Sequence, residues 1–138
     1  MTASTGTAKQ KLGGRGEAAA ARLLVSKQYR ILAHNWRRGR LELDLVCEDG
    51  DELVFVEVKT RTAGTLTSPA EGMSPGKRQS LIKAARCWLA AHKAWDRACR
   101  FDVVCVTDIG QELHLEHHTN AFTLADSLAR GNAAWQPW

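Results

Sequence analysis

"ELVFVEVKTR", residues 52–61, places Glu57 and Lys59 inside a segment that otherwise has the composition of a buried β-strand. Moving a charged group into an apolar interior is costly unless the group is paired or binds a metal. Side chains alternate along a strand, so the three valines share one face, which we predict to be core. Glu57 and Lys59 then share the other face with Leu53 and Phe55. The stretch predicts a strand that carries a charged site.

The preceding segment, "LELDLVCEDG" at residues 41–50, predicts the neighbouring strand, and its "DG" is a hairpin signal. Alternation places Asp44 on the same face as Val46, and pairing the core faces of the two strands brings Asp44 beside Glu57 and Lys59. Two carboxylates at short distance repel, so a divalent cation or an ammonium group must neutralise them. Mg²⁺ fits, because it accepts one or two carboxylates, several waters and substrate phosphates.

Glu17 is the one acidic residue among the first forty, and glycines and alanines surround it. A helix with such small side chains can lie close to a sheet. If this helix crosses the polar end of the strands, Glu17 adds a third carboxylate to the group. The alternative is that Glu17 is an ordinary favourable charge near the start of a helix.

The hydrophobic period along the chain predicts two helices and five strands. A helix begins at about residue 14 or a little earlier, and a second has Ser74 as its cap and Pro75 at its first position, ending near residues 92–95. The apolar stripe of the second helix consists of Leu81, Ala85, Trp88 and Leu89. The predicted strands are "YRILAHNW", "RLELDLVCEDG", "DELVFVEVKTR", "RFDVVCVTD" and "ELHLEHH".

The resulting order, α-β-β-β-α-β-β, predicts an α/β fold in which helices flank a sheet and the first three strands form an antiparallel meander. We predict one domain at residues 1–122. Within it, residues 1–12 are expected to be mobile, and residues 123–138 form a weakly patterned tail.

The chain has 138 residues, of which 44% are hydrophobic and 25% charged, which is typical of one globular domain. No apolar run approaches the roughly 18 residues that span a bilayer, and the small, polar amino terminus is unlike a signal peptide. We therefore expect a cytoplasmic protein that does not enter a membrane. The four cysteines form no C-x-x-C pair, which favours buried apolar roles over zinc binding or disulfides.

Charge is distributed unevenly along the chain, although the net charge is only +4. Residues 1–40 contain nine Lys and Arg and one acid, or +8, whereas residues 41–138 contain ten basic and fourteen acidic residues, or −4. A basic amino-terminal segment indicates a polyanionic partner such as nucleic acid. Solvated helix faces would explain the same charges equally well.

Three further features each allow two interpretations. Trp36 can stack on a base beside phosphate-binding arginines, or it can close the core at a strand end. Lys77 and its neighbour Arg78 can contact a nucleic-acid backbone or simply be solvated. His114, Glu116 and His118 have a spacing compatible with zinc, although an exposed face of an edge strand is favoured.

Taken together, five segments resemble the YraN-type family of uncharacterised bacterial predicted endonucleases, which is distantly similar to archaeal Holliday-junction resolvases. The segments run from about Gly13 to Phe122 and read "GRGEAAAARLL", "HNWRRGRLELDLVCEDGDELVFVEVKTR", "PGKRQSLIKAARCWL", "RFDVVCV" and "HHTNAF". The resemblance implies a restriction-endonuclease-like mixed sheet with a PD-(D/E)xK active site. An acid followed about a dozen residues later by E-x-K, with a glutamate on the preceding helix, is a specific pattern.

The resemblance maps Asp44 onto the motif aspartate and Glu57-Val58-Lys59 onto E-x-K. Glu17 corresponds to the helix glutamate. Glu42 corresponds to the first acid of the family's G-E-I-D segment, which reads "LELD" here, so that a leucine replaces the glycine.

Metal-assisted phosphodiester hydrolysis is the chemistry that this resemblance implies. Asp44, Glu57 and the backbone carbonyl of Val58 would hold Mg²⁺ or Mn²⁺. Glu17 would bind a second ion or orient a metal-bound water, and Glu42 is a further candidate ligand. Lys59 would position the attacking water and stabilise charge in the transition state, and its alternative role is a structural ion pair.

Structured or branched DNA is the expected substrate, and a homodimer is plausible by analogy with resolvases. A non-catalytic nucleic-acid-binding module and an RNA endonuclease are the alternatives. The candidate nucleic-acid contacts are Arg15, Trp36, Arg37, Arg38, Arg40, Arg61, Lys77 and Arg78.

Overall fold

A computed structural model of the chain describes residues 8–63, 73–110 and 112–122, with side chains from residue 11 onward. Most of the predicted loop after the third strand and the predicted tail at 123–138 lie outside these residues. The elements are α1 (Ala8–Ser26), β1 (Arg30–Arg38), β2 (Leu41–Asp49), β3 (Glu52–Thr62), α2 (Pro75–Ala91), β4 (Cys99–Asp108) and β5 (Leu113–Phe122). This order confirms the predicted fold class, a mixed sheet flanked by helices.

The five strands form one sheet in the order β1-β2-β3-β4-β5. Neighbouring strands are antiparallel, except that β3 and β4 are parallel, because α2 carries the chain back across the sheet between them. The predicted antiparallel meander of β1, β2 and β3 is confirmed. Both of its turns contain a glycine at positive φ, Gly39 at 60° and Gly50 at 61°, so the "DG" signal marks a true hairpin.

Both faces of the sheet are buried. On one face Ala20 and Leu24 of α1 pack with Val54 and Val56 of β3, and on the other face α2 covers the opposite side of that strand. We predicted one core face, that of the valines, but Leu53 and Phe55 on the other face are also buried. A strand with a helix above and below it has no solvated face.

Helix α1 lies close to β3 and β4 because Gly16 faces the sheet. A Cβ atom added at Gly16 would collide with Cγ2 of Thr60 and would lie 3.6 Å from Cβ of Val106. The predicted close approach of helix to sheet therefore occurs at this glycine, and Glu17 is the next residue along the helix.

Helix α2 begins and packs as predicted. The Oγ of Ser74 accepts a hydrogen bond from the Lys77 N–H at 3.1 Å, and Pro75 occupies the first turn. The predicted apolar stripe is buried, and the helix ends at Ala91.

Two elements extend further than predicted. Helix α1 begins at Ala8 and not near residue 14, so residues 8–12 are helical, which agrees with the strong helix formers of "AKQKL". Strand β5 continues to Phe122 beyond the predicted "ELHLEHH", because the buried Phe122 ring stacks on Phe101 with ring centroids 4.7 Å apart.

Candidate active site

The alternation of side chains along β2 breaks at Asp44. Leu43 packs in the core beneath α2, whereas Leu45, two residues later, packs in the core beneath α1. Regular pairing of β2 with β3 reaches Leu45 opposite Val56 and goes no further toward the start of β2. The two strands therefore diverge at Asp44, which lies in the gap between them.

The carboxylate of Asp44 fills the place of a missing backbone acceptor. The Val58 N–H donates to Oδ2 of Asp44 at 2.8 Å, where a regular ladder would supply a carbonyl of β2. In a strand the N–H and C=O of one residue point toward the same neighbour, so the Val58 carbonyl also faces β2. Alternation along β2 would place Leu43 on the face of Leu45, but Leu43 lies with Val46 in the core beneath α2.

Asp44 and Glu57 nevertheless meet, as predicted. The Glu57 side chain is 12% exposed, and burial together with the nearby Asp44 raises the pKa of Glu57 to about 7. The protonated Glu57 carboxyl donates a hydrogen bond to Asp44. Burial also raises the pKa of Asp44, while the Val58 N–H and the Glu57 proton favour its charged form. The two carboxyls thus titrate as a pair.

Lys77, in the first turn of α2, contacts the Glu57 member of this pair. Its Nζ lies 3.2 Å from Oε2 of Glu57. We predicted a nucleic-acid contact for Lys77 and missed its position against a site carboxylate. A cation in the first turn of a helix opposes the helix dipole, so its presence there was the available signal that an anion lies nearby.

Glu17 faces the same cluster from α1. Burial raises the pKa of Glu17, and so do the charges of Asp44 and Glu42, while Arg37 and a hydrogen bond with Asn35 oppose the shift. The structure therefore brings the helix glutamate near Asp44 and Glu42 of β2. Glu42 lies at the rim of the group.

Lys59 lies two residues after Glu57 on β3, half-buried and in register with Cys105 of β4. The E-x-K segment begins just after Val56, the last residue of β3 in regular pairing with β2, and so lies where the two strands diverge. The catalytic role that we predicted for Lys59 stays a prediction.

The donor atoms of this cluster suit a hard divalent cation. Among residues 8–63, 73–110 and 112–122, no group of three or more His, Cys, Asp and Glu side chains has the geometry of a metal site. Mg²⁺ and Mn²⁺ do not need three, because Mg²⁺ usually binds one or two carboxylates and retains water. The hydrogen-bonded carboxyls of Asp44 and Glu57 are within reach of one ion, and the Val58 carbonyl faces the same gap. These residues therefore fit the predicted ion.

The arginines of β1 lie near the cluster. Arg37 Nε is 3.3 Å from Oε2 of Glu42. The Arg38 guanidinium lies over the Trp36 ring, 5.9 Å from its centroid. Trp36 packs against the core beneath α2, which favours the core-closing interpretation over base stacking.

The other predicted nucleic-acid residues are dispersed. Arg15 lines an open groove between α1 and β5, and Arg40 is exposed in the turn before β2. The Arg61 Nε–H donates to Oγ1 of Thr107 at 3.4 Å. The Arg78 guanidinium lies 5.6 Å from the centroid of the Phe122 ring.

The predicted "HLEHH" face lies on β5, at the edge of the sheet. Glu116 lies between His114 and His118, with N–O distances of 3.5 and 3.3 Å. All three side chains are at least 40% exposed. The favoured interpretation, an exposed face of an edge strand, agrees with this geometry.

A buried polar network around Asp102 escaped the sequence analysis. Its carboxylate accepts hydrogen bonds from Nε2 of His117 at 2.7 Å, from Nε of Arg100 at 3.0 Å and from the Asn120 N–H at 3.1 Å. Burial opposes ionisation of Asp102, but these donors together hold its pKa below the usual range. The acid inside the apolar "RFDVVCV" was the same signal that identified Glu57.

The family described as "Uncharacterised protein family UPF0102" matches residues 16–106 of this chain. The chain belongs to this family. The UPF0102 protein of Nitratidesulfovibrio vulgaris strain DP4 is 56% identical over 131 residues, which cover 95% of this chain and 98% of that protein. UPF0102 protein LI0223 of Lawsonia intracellularis is 43% identical over 128 residues, covering 93% and 97% of the two chains. The predicted YraN-type resemblance is thus confirmed at the level of the family.

Among solved structures, that of Pyrococcus furiosus SfsA in complex with Ca²⁺ matches this UPF0102 protein with a TM-score of 0.39 and 15% identity. The match covers 76% of this chain and 63% of the other. No helix among the described residues is long and apolar enough to cross a membrane.

Proposed function

We propose that this UPF0102 protein is a Mg²⁺- or Mn²⁺-dependent endonuclease that hydrolyses phosphodiester bonds in structured or branched DNA. The observation that carries the proposal is the position of Asp44. It lies at the break in β2, accepts a hydrogen bond from Val58 and contacts Glu57, which begins the E-x-K segment. Buried carboxylates in contact cost free energy of folding, so a functional reason is needed for keeping them.

Each residue of the cluster has a distinct task in this proposal. Asp44, Glu57 and the Val58 carbonyl hold the ion, and Glu17 orients water from the α1 side. When bound, the ion polarises the scissile phosphate and lowers the pKa of a coordinated water. Lys59 holds its ammonium beside the phosphate and stabilises the negative charge that develops there. Glu57 must be ionised to bind the cation, so its raised pKa makes binding of the ion depend on pH.

Nucleic acid would approach over the basic side chains of β1 that border Glu42. Arg37 and Arg38 would contact phosphates there, which sets position and not sequence. By analogy with resolvases we further propose a homodimer in the cytoplasm, since two cuts placed symmetrically in a branched substrate need two active sites.

A substrate panel tests the proposed activity. Labelled duplex, flap, four-way junction and single strands, each as DNA and as RNA, are incubated with Mg²⁺, Mn²⁺ or EDTA. We expect metal-dependent cleavage that is fastest on a branched DNA. Asp44→Asn should reduce the rate by about a hundredfold or more, as loss of one essential site group does.

Asp51→Asn is the matched control, because it makes the same chemical change in the exposed turn at the far end of β2 and β3. It should cleave like the parent. Equal rates for the parent and Asp44→Asn, purified in parallel, would point to a contaminating nuclease. Binding of branched DNA without any metal-dependent cleavage would identify a binding module.

A further inference from the structure

Lys77 occupies a constrained position against the carboxylate pair. Ser74 caps α2 through the Lys77 N–H, Pro75 restricts the first turn, and the buried Met73 anchors the chain just before it. The backbone that carries the Lys77 ammonium is therefore fixed relative to Glu57.

Helix stability does not account for a lysine at this position. The first turn of α2 contains no acidic residue, and the partial positive charge of a helix amino terminus repels a cation. Lys77 is half-exposed, with 38% of its side chain accessible, so it could turn to solvent. Instead, its ammonium lies against Glu57, whose side chain is 12% exposed. The contact therefore stabilises the charged form of Glu57 and does not stabilise the helix.

A divalent cation and Lys77 compete for the Glu57 carboxylate in this arrangement. The ammonium lies 3.2 Å from Oε2 of Glu57, and a cation bound to the same carboxylate would repel it. The entry of an ion therefore weakens the contact between Lys77 and Glu57. Lys59 lies two residues after Glu57 on β3, whereas Lys77 reaches Glu57 from α2.

We propose that Lys77 is a positioning residue of the candidate active site, which holds Glu57 until the divalent cation displaces it and then turns toward the phosphate of the bound substrate. This inference rests on the proposed function and adds a second lysine to the motif lysine. It makes Lys77 a competitor of the ion in the free protein and a partner of the substrate in the complex.

Competition between Lys77 and the ion predicts that removing the Lys77 charge strengthens the binding of the ion. Replacing Lys77 by the uncharged, similarly long methionine removes the competing cation, so the protein should bind Mn²⁺ about two- to fivefold more tightly, as expected for a partly exposed ion pair. The same variant should cleave substrate more slowly, because a phosphate contact is lost. A residue with a merely structural role would not tighten the binding of an ion.

Mn²⁺ titration of the full chain at pH 8, with free Mn²⁺ followed by electron paramagnetic resonance, tests this inference. The variants are Lys77→Met, Lys77→Arg and the control Lys83→Met, which removes an exposed charge further along α2. We expect tighter binding for Lys77→Met alone, with Lys77→Arg and Lys83→Met like the parent.

Each other outcome is decisive. If the parent binds Mn²⁺ and Lys77→Met binds it equally or more weakly, this inference is overturned while the proposed function stands. Equal tightening by Lys83→Met would show a general charge effect and would also overturn it. A parent that binds no Mn²⁺ at all overturns both.

Discussion

Glu57 carries a carboxyl group whose neutral form the folded protein favours. The nearby Asp44 favours the protonated form of Glu57, whereas Lys77 favours its ionised form. Burial has the largest effect and favours the protonated form. A site of this kind is destabilising when empty and ionised, and a bound cation relieves that cost. This is the pattern expected where residues are retained for binding and not for folding.

The raised pKa of Glu57 predicts a specific pH dependence of stability. Its ordinary value is 4.5 and its value in the folded protein is about 7, so between these values the folded state binds more protons than the unfolded state. The free energy of unfolding of the metal-free protein should therefore fall as pH rises from about 4.5 to 7. Glu57→Gln cannot ionise and should flatten this part of the curve, raising the melting temperature at pH 8 relative to the parent.

Thermal unfolding in EDTA between pH 4.5 and 8 measures this effect. Asp51→Asn, in the exposed turn, serves as the control for loss of one acid. Parallel curves for the parent and Glu57→Gln would show that the Glu57 pKa is not raised by folding.

Helix α1 and the β2–β3 pair together shape the site at the level of elements. The helix approaches through Gly16, and the strands diverge at Asp44, so that Asp44 lies near Glu17 of α1 and near Glu57 of β3. Neither feature is produced by charged residues themselves. An uncharged substitution that moves α1 should therefore alter the site.

Gly16→Ala is the change that tests the role of the helix. Alanine favours helix by about 1 kcal/mol over glycine, but the new Cβ collides with Thr60, and overpacking costs about 1–3 kcal/mol. We expect net destabilisation by about 1 kcal/mol in urea unfolding and a weaker melting-temperature response to Mn²⁺, since Glu17 moves with the helix.

Gly14→Ala is the matched control, because nothing lies within 4 Å of a Cβ at that position. It should stabilise the protein by up to about 1 kcal/mol and leave the response to Mn²⁺ unchanged. If both variants were stabilised equally, the close packing of α1 on β3 would not hold in solution.

Over the whole molecule, basic residues predominate in residues 1–40 and acidic residues in the remainder of the chain. The fold brings some of both together at the candidate site. Residues 1–40 carry nine basic residues and one acid, and β1 brings Arg37 of this segment beside Glu42 of β2, with Arg38 next in the chain. A basic margin next to a buried carboxylate cluster is suited to a polyanion whose phosphates need a cation at one point.

This arrangement predicts that binding of nucleic acid depends steeply on salt and little on sequence. Affinity measured in EDTA should fall sharply between about 50 and 200 mM salt, since phosphate contacts release counterions. Replacing both Arg37 and Arg38 by alanine should weaken binding uniformly across sequences and reduce the salt slope by about 2, one unit for each lost contact. Fluorescence anisotropy with two unrelated duplexes and one junction measures both quantities, with Lys83→Ala as the control. Salt-independent binding would contradict the polyanion argument.

Short-range features of the sequence were sufficient to predict the helices and strands and to identify the candidate site residues. The cap at Ser74, the hairpin at Asp49-Gly50 and the acid within "VFVEVK" each depend on neighbours a few residues away, and each was predicted from them. The break at Asp44 was not, because it depends on how β2 leaves β3, and alternation from Leu45 predicts the wrong face for Leu43.

Contacts between distant residues were decided only by the tertiary structure. Lys77 meets Glu57 because α2 returns over the sheet, and Leu53 and Phe55 are buried by the same helix. The network of Asp102 joins residues from β4 and β5. Periodicity shows that a side chain is charged or apolar and which strand face it occupies, but not what covers that face. Which element covers a strand face is set by packing between elements. The free energy of this packing depends on the whole fold and not on local sequence.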